Sequence, residues 1–327
     1  MKTIQQAIRR KRLPWLLAAT LGSVFTATAC AAGNAPQSAT INAESAAQTL
    51  KQEWRIANDA TVEVHNVRGS VIISAGSASE ALLSGELGVG SKLVVGGSEQ
   101  RLDLRVESAK DHGWFGNDGP RADSNLVLKV PSGVSLRLEL VSADGKVTGI
   151  SGSSLKVECV SGKLTVDSGS PQVDIESVSG DIEFAASRPD ASHRAHLQAV
   201  SGDIEMTGAN GRIKLDTVSG RARASGAEVQ EFEAGTVSGN IELAAAIGKH
   251  GRVQVDSMSG EIRAELREPI SARIEAQTFS GRIRSDFGKV EKPEYGPGSN
   301  LDARVGDGDA QINVKSFSGN VDILKRP

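Results

Sequence analysis

A five-residue phrase recurs through the second half of this chain and limits what the chain can fold into. Val160-Ser161-Gly162-Lys163-Leu164 opens the series. It returns as Val178-Ser179-Gly180-Asp181-Ile182, Val200-Ser201-Gly202-Asp203-Ile204, Val218-Ser219-Gly220-Arg221-Ala222 and Val237-Ser238-Gly239-Asn240-Ile241. Three later copies change the first residue: Met258-Ser259-Gly260-Glu261-Ile262, Phe279-Ser280-Gly281-Arg282-Ile283 and Phe317-Ser318-Gly319-Asn320-Val321. From serine to serine the steps are 18, 22, 18, 19, 21, 21 and 38, the last wide enough for two repeats with one degraded copy between. A period near twenty residues is the signature of a stacked repeat architecture.

Aligned on the residue before Ser-Gly, taken as position zero, the copies fall into columns. Position minus five reads Leu155, Val173, Ala195, Ile213, Phe232, Val253, Ile274 and Ile312, and minus three is equally apolar. Between them, minus four is polar throughout, from Lys156 and Asp174 to Glu275 and Asn313. Alternation with period two means a strand with one buried face. It resumes after the glycine, with Leu164, Ile182, Ile204 and Ile241 inward and Lys163, Asp181, Asp203 and Asn240 outward.

The phase slips by one at a small residue followed by a large one, as at Cys159-Val160 and Thr217-Val218. Such a slip, with glycine two residues on, is what a corner or bulge between two strands requires. The recurrent serines are too numerous to be nucleophiles and are expected to hydrogen-bond backbone at the turn. A repeat of this size cannot bury its own apolar face, so neighbours must stack. The fold class expected is all-β: a parallel β-solenoid of 18–22-residue coils with two short strands per coil. Roughly thirteen coils at about 4.8 Å each would make a rod about 60 Å long.

Residues 1–29 precede the rod. Arg9, Arg10, Lys11 and Arg12 lead an apolar run over residues 13–25, followed by Ala27-Thr28-Ala29-Cys30. A basic region, a short apolar core and a small-residue cleavage site make a secretory signal, too short to span a bilayer. Cys30 stands where a lipoprotein signal places its acylated cysteine, although an ordinary signal peptidase could equally cut after Ala29, Ala31 or Ala32. Losing residues 1–29 removes five basic and no acidic residues, so the formal charge moves from −3 to −8. An acidic exported chain lacks the basic face that nucleic acid needs. With Cys30 lipidated or removed, Cys159 has no partner, and no disulfide framework is implied.

Residues 30–53, rich in Ala, Ser, Gln and Thr, are expected to be a tether. Residues 54–325 are expected to form one repeat domain, less regular at its N-terminal capping end. Two insertions, residues 110–125 and 288–308, carry Trp114, Phe115 and Tyr295, the ligand-binding candidates, since loops that leave a repeat are where such folds place binding. The plain alternative is loop or cap.

Catalytic and metal candidates are thin. Glu183 over Glu205, with Asp181 over Asp203, is the nearest approach to a carboxylate cluster, and a solvated acidic edge explains it as well. His193 and His196 lie three apart, which in a strand puts them on opposite faces. Gly306-Asp307-Gly308-Asp309 occurs once and reads as a turn, because a calcium-binding β-roll needs tandem copies. No cofactor and no metal are expected, and catalytic residues are expected to be none.

With these columns in view, the chain resembles the putative-adhesin β-strand-repeat family, domain of unknown function 4097 (DUF4097). The likeness rests on the recurring Val-Ser-Gly-Asp-Ile, on Leu126-Val127-Leu128-Lys129-Val130-Pro131-Ser132-Gly133-Val134, and on Gly308-Asp309-Ala310-Gln311-Ile312-Asn313-Val314. It covers residues 54–325. It implies a link to adhesion or to cell-envelope stress responses and carries over no catalytic residues. The expectation is a non-enzymatic envelope protein, outer-membrane-associated or periplasmic, that binds glycan or protein and meets the membrane through a lipid anchor at Cys30. A stress-sensing binding protein is the alternative, and a polysaccharide-acting enzyme is a third.

Overall fold

The computed structural model describes residues 35–43, 46–108, 122–188, 193–292 and 297–326. Among these are twenty-two β-strands and no helix, hydrogen-bonded into one sheet. Neighbouring repeats pair side by side, so the runs before and after Ser-Gly form two ladders. In the first, Ser154–Ser161 pairs in parallel with Gln172–Ser179, and that strand with His193–Ser201. The ladder continues through the later halves of Ile204–Ser219, Arg221–Thr236 and Asn240–Ser259. In the second, Leu164–Ser168 pairs with Ile182–Ala186, then with the earlier halves of the same three long strands, then with Ile262–Arg267.

The registers place Leu155, Val173, Ala195, Ile213, Phe232 and Val253 in one row and Leu164, Ile182, Ile204, Ala222, Ile241 and Ile262 in another. No member of either row is more than 3% exposed. These are the apolar columns of the sequence, and burying them drives stacking, because a single repeat has nothing else to cover them. Two short strands per repeat describe residues 154–201. From residue 204 onward the run after one Ser-Gly continues unbroken into the run before the next, as strands of 16, 16 and 20 residues. Register shifts at Thr207/Ala209 and Ser225/Glu228 turn that corner without ending the ladder.

Repeats do not stack in chain order at either end. Thr61–Ala75 lies between Ser135–Ile150 on one side and Arg101–Ser108 with Ser124–Val130 on the other. At the other end, Ala310–Ser318 and Val321–Arg326 pair with Asn240–Ser259 and Ile262–Arg267 on one side. Their other neighbours are Ala272–Thr278 and Ile283–Ser285. The first and last parallel repeats of the sequence are therefore both second from an end, each clasped by a repeat from further inside the chain.

Among the described residues each ladder has eleven parallel rungs, spanning about 48 Å from first to last. The expected count of thirteen fails because several strands are antiparallel caps. Ser91–Ser98 runs antiparallel on Arg101–Ser108, with Ala39–Ala43 beyond it. Glu80–Leu87 runs antiparallel on Ser124–Val130, with Gln48–Arg55 beyond it. Ser299–Val305 covers Ala272–Thr278 in the same way. An open stack end presents a row of unpaired backbone groups, and a reversing strand satisfies them. Composition assigned residues 30–53 to a tether. Among the described residues of that span, Ala39–Ala43 and Gln48 onward are instead these outer strands, with Ala43 and Leu50 buried.

After Gly162, which sits against the Ala143 carbonyl, each Ser-Gly glycine sits against the carbonyl oxygen of the glycine one rung away: Gly180 on Gly162, Gly202 on Gly180, Gly220 on Gly202, Gly239 on Gly220, Gly260 on Gly239, Gly319 on Gly260 and Gly281 on Gly319. A Cβ has no room there. The order Gly260, Gly319, Gly281 restates the exchange of the last two repeats. The next residue links rungs by side chain: Asp203 N–H donates to Asp181 Oδ1 (2.9 Å), Arg221 N–H to Asp203 Oδ1 (2.7 Å) and Glu261 N–H to Asn240 Oδ1 (3.0 Å). That is why Gly-Asp or Gly-Asn recurs.

Candidate functional site

The corner at Ser-Gly turns two consecutive residues outward. In the pairing, Ser177 lies opposite Cys159 and Ser179 opposite Ser161, and the residues between them, Val178 and Val160, are left out of the register. Position zero therefore projects from the surface. In spatial order the row is Val141, Val160, Val178, Val200, Val218, Val237, Met258, Phe317 and Phe279. Val218 is half-buried, and the others run from 38% exposed at Val141 to 59% at Phe317. At the C-terminal end Phe317 and Phe279 stack, with centroids 5.1 Å apart and planes within 10° of parallel. The serines beside this row are exposed and make no side-chain hydrogen bond to backbone among the described residues. The glycine is what the turn requires, and the serine supplies a hydroxyl edge along the apolar row.

On one flank, the outward face of the first ladder carries ion pairs that step from rung to rung. Arg137 meets Glu139 (2.7 Å) and Glu158 (3.7 Å), and Lys156 meets Glu158 (3.0 Å) and Asp174 (3.3 Å). His196 bridges Asp174 (3.3 Å) and Asp216 (3.4 Å), and Lys214 joins Asp216 (3.6 Å) to Glu233 (3.3 Å). The His196 contacts are long for directed hydrogen bonds, so charge attraction dominates. Asp174 first and Asp216 second lift the imidazole to about 9, against the opposing effect of burial. In turn His196, ahead of Lys156, holds the Asp174 carboxyl below the usual carboxylate range.

On the other flank, the outward rows after Ser-Gly line a groove of about 480 Å³ near the C-terminal end. Asn240, Glu242, Glu261, Arg263, Asn320 and Asp322 line it, with Arg282 and Arg284 at the outermost rung. Glu242 is engaged by Arg221 (3.7 Å) and Arg223 (3.6 Å), and Arg263 by Glu265 (2.9 Å). Arg282 and Arg284 are exposed and have no ion pair among the described residues.

Cys30, Trp114, Phe115 and Tyr295, the candidates read from sequence, all lie outside the described residues. Glu183 does stand opposite Glu205, but it is committed to Lys163 (2.6 Å) and Thr165 (3.3 Å), and the lysine contact holds its carboxyl low. Asp181 accepts the Asp203 N–H instead of facing a shared ion. Among the described residues no three or more His, Cys, Asp and Glu side chains are arranged to hold a metal ion. His193 and His196 face opposite sides: His193 is buried, with Nδ1 3.1 Å from the Ser170 carbonyl and Nε2 2.7 Å from that of Arg188. Residues 306–309 form a turn around Ser271, whose hydroxyl accepts the Asp307 and Asp309 N–H groups and donates to Asp309. Cys159 is a buried free thiol, with burial raising its pKa.

The family description Toastrack DUF4097 matches residues 98–324, the span that contains every copy of the repeat. The chain belongs to the Toastrack DUF4097 family. No curated protein matches the sequence. Among solved structures, this Toastrack chain is similar to a putative cell adhesion protein from Clostridium sporogenes, at 8% identity and a TM-score of 0.27, covering 85% of this chain and 100% of the other. It is also similar to a putative lipid binding protein from Parabacteroides distasonis, at 12% identity and a TM-score of 0.33, covering 88% and 99%. In the Toastrack stack the exposed row went unnoticed in the sequence. Its signal was present, because position zero stays apolar in every copy although the phase slip takes it out of the buried alternation.

Proposed function

We propose that this Toastrack chain is a non-enzymatic, exported component of the cell envelope, built as a parallel β-solenoid and acting as an adhesin or scaffold that holds a glycan or a protein along its side. Residues 1–29 direct export, Cys30 is the acylation point, and the segment after it leads into the N-terminal cap. The observation that carries the reading is the exposed apolar row, which runs unbroken for about 38 Å at one residue per rung. Soluble proteins that act alone keep contiguous apolar patches to roughly a few hundred Å², and larger ones mark interaction surfaces. The serine edge and the polar groove beside the row supply hydrogen-bonding groups for a ligand that is only partly apolar.

Catalysis finds little support in the same surface. Glu183 and Glu242 are held by Lys163, Arg221 and Arg223, and Asp181 and Asp203 accept backbone N–H groups. Glu261 and Asp322 line the groove without an ion pair, but among the described residues no partner acid or base is positioned beside them for proton transfer.

The test is binding of the purified exported chain to lipid-free glycan and protein fractions of the envelope, with Val160, Val178 and Val200 each replaced by serine in one variant. Loss of most of the binding, with the melting temperature kept, supports a docking row. Undiminished binding contradicts it.

A further inference from the structure

We propose that the corner formed by Phe279 and Phe317 docks the C-terminal end of the stack onto an anionic lipid bilayer. Phe279 and Phe317 are 55% and 59% exposed, the two most exposed large apolar side chains among the described residues, and Met258, 49% exposed, adjoins them one rung inward. They sit on a convex edge where the two outward faces meet, so three apolar side chains project with no wall around them. A peptide or a sugar chain gains most of its contacts from concavity, whereas a bilayer supplies its own plane.

The charges around this corner differ from those along the rest of the row. Arg137, Lys156, His196 and Lys214 are each held by carboxylates on their own or the next rung. Around the phenylalanines, Lys315 on one face and Arg282 and Arg284 on the other are exposed and have no ion pair among the described residues. Unpaired cations on both sides of an aromatic pair match a surface that offers negative headgroups and, just beneath them, an apolar layer. Further back, the first-ladder cations beside the row are each matched by a carboxylate. Although Asp256 stands opposite Lys315 in the register, the three unpaired cations that flank the phenylalanines lie on the two outermost rungs, which confines the contact to the tip. Ten rungs separate this tip from the outermost parallel rung beside the N-terminal cap.

The experiment is sedimentation of the exported chain, residues 30–327 with Cys30→Ser so that no acyl group is attached, with vesicles of phosphatidylcholine alone or mixed with phosphatidylglycerol. Binding to the mixed vesicles that falls with added salt, and little binding to phosphatidylcholine alone, is expected. Phe279→Ser with Phe317→Ser, and separately Arg282→Gln with Arg284→Gln and Lys315→Gln, should each weaken it by about tenfold or more. Val160→Ser with Val178→Ser lies in the same row away from the cations and should leave it unchanged. All these side chains are exposed, and an unaltered melting temperature shows that each variant is folded. Absence of binding to the anionic vesicles overturns the proposal. So does full retention by either tip variant, or equal loss in the Val160/Val178 variant.

Discussion

Phe317 stacks on Phe279 although 38 residues separate them and a complete antiparallel strand lies between them in the chain. If the repeats were stacked in chain order, Phe279 would lie on Met258 instead. The last repeat enters beneath the one before it, leaving the aromatic pair at the exposed end of the row. Since the rings are more than half exposed, Phe317→Ala should lower unfolding stability by only about 1 kcal/mol. A much larger loss in denaturant unfolding would mean that the pair supports the end of the fold as well as its surface.

Buried columns behave differently. Ile204 is 1% exposed and stands in register between Ile182 and Ala222. Ile204→Asp puts an unpaired carboxylate between rungs and should cost several kcal/mol. A melting temperature within a few degrees of the parent would show that the row is not buried.

The glycine row offers a sharper contrast. Gly260 has φ +152°, and a Cβ there would collide with the Gly239 carbonyl, whereas Gly96 has nothing within 4 Å of an added Cβ. Gly260→Ala should destabilise by about 2 kcal/mol or more, since the obstacle is backbone on the next rung. Gly96→Ala should be neutral or slightly stabilising, through reduced freedom of the unfolded chain. Equal thermal shifts in the two variants would refute the close approach of the glycines.

Stability should also depend on pH through His196. Its folded-state pKa of about 9 lies above the ordinary value of 6.5, so the protonated ring stabilises the fold fully below about pH 6.5. That contribution fades as pH rises and is lost once pH passes through about 9. Asp174, whose pKa is lowered, acts on the acid side: its contribution is present above the ordinary carboxylate range and is lost as pH falls. Denaturant midpoints measured from pH 6 to 10 should fall for the parent and fall less for His196→Gln. Parallel curves would mean that the Asp174–His196–Asp216 bridge does not form.

The repeat, its strands and its buried columns were legible in the sequence because burial imposes a period of two within strands and of about twenty between them. Strand direction was not legible. Leu301-Asp302-Ala303-Arg304-Val305 alternates just as a parallel strand would, yet Ser299–Val305 runs antiparallel to Ala272–Thr278. Rung order was hidden for a similar reason, since Ile312 fits between Val253 and Ile274 as well as it would beyond them. The ion ladder was only half visible: His196 is plainly outward in the pattern, but its two aspartates come from the rungs on either side, 22 residues before it and 20 after. Trp114, Phe115 and Tyr295 drew attention as aromatic residues in insertions, while Phe279 and Phe317 passed as members of a repeat.

The exchanged order of the last two repeats creates the aromatic end of the exposed row, and engineered disulfides test it most directly. Ser259 lies opposite Ser318 in the register, a separation a disulfide can close, while Ser280 is a full rung further away. Under mild oxidation, Ser259→Cys with Ser318→Cys should crosslink nearly completely, and Ser259→Cys with Ser280→Cys should not. Crosslinking of the second pair in preference to the first would show that the repeats stack in chain order, and would contradict the exchange that brings Phe317 and Phe279 together at the C-terminal end.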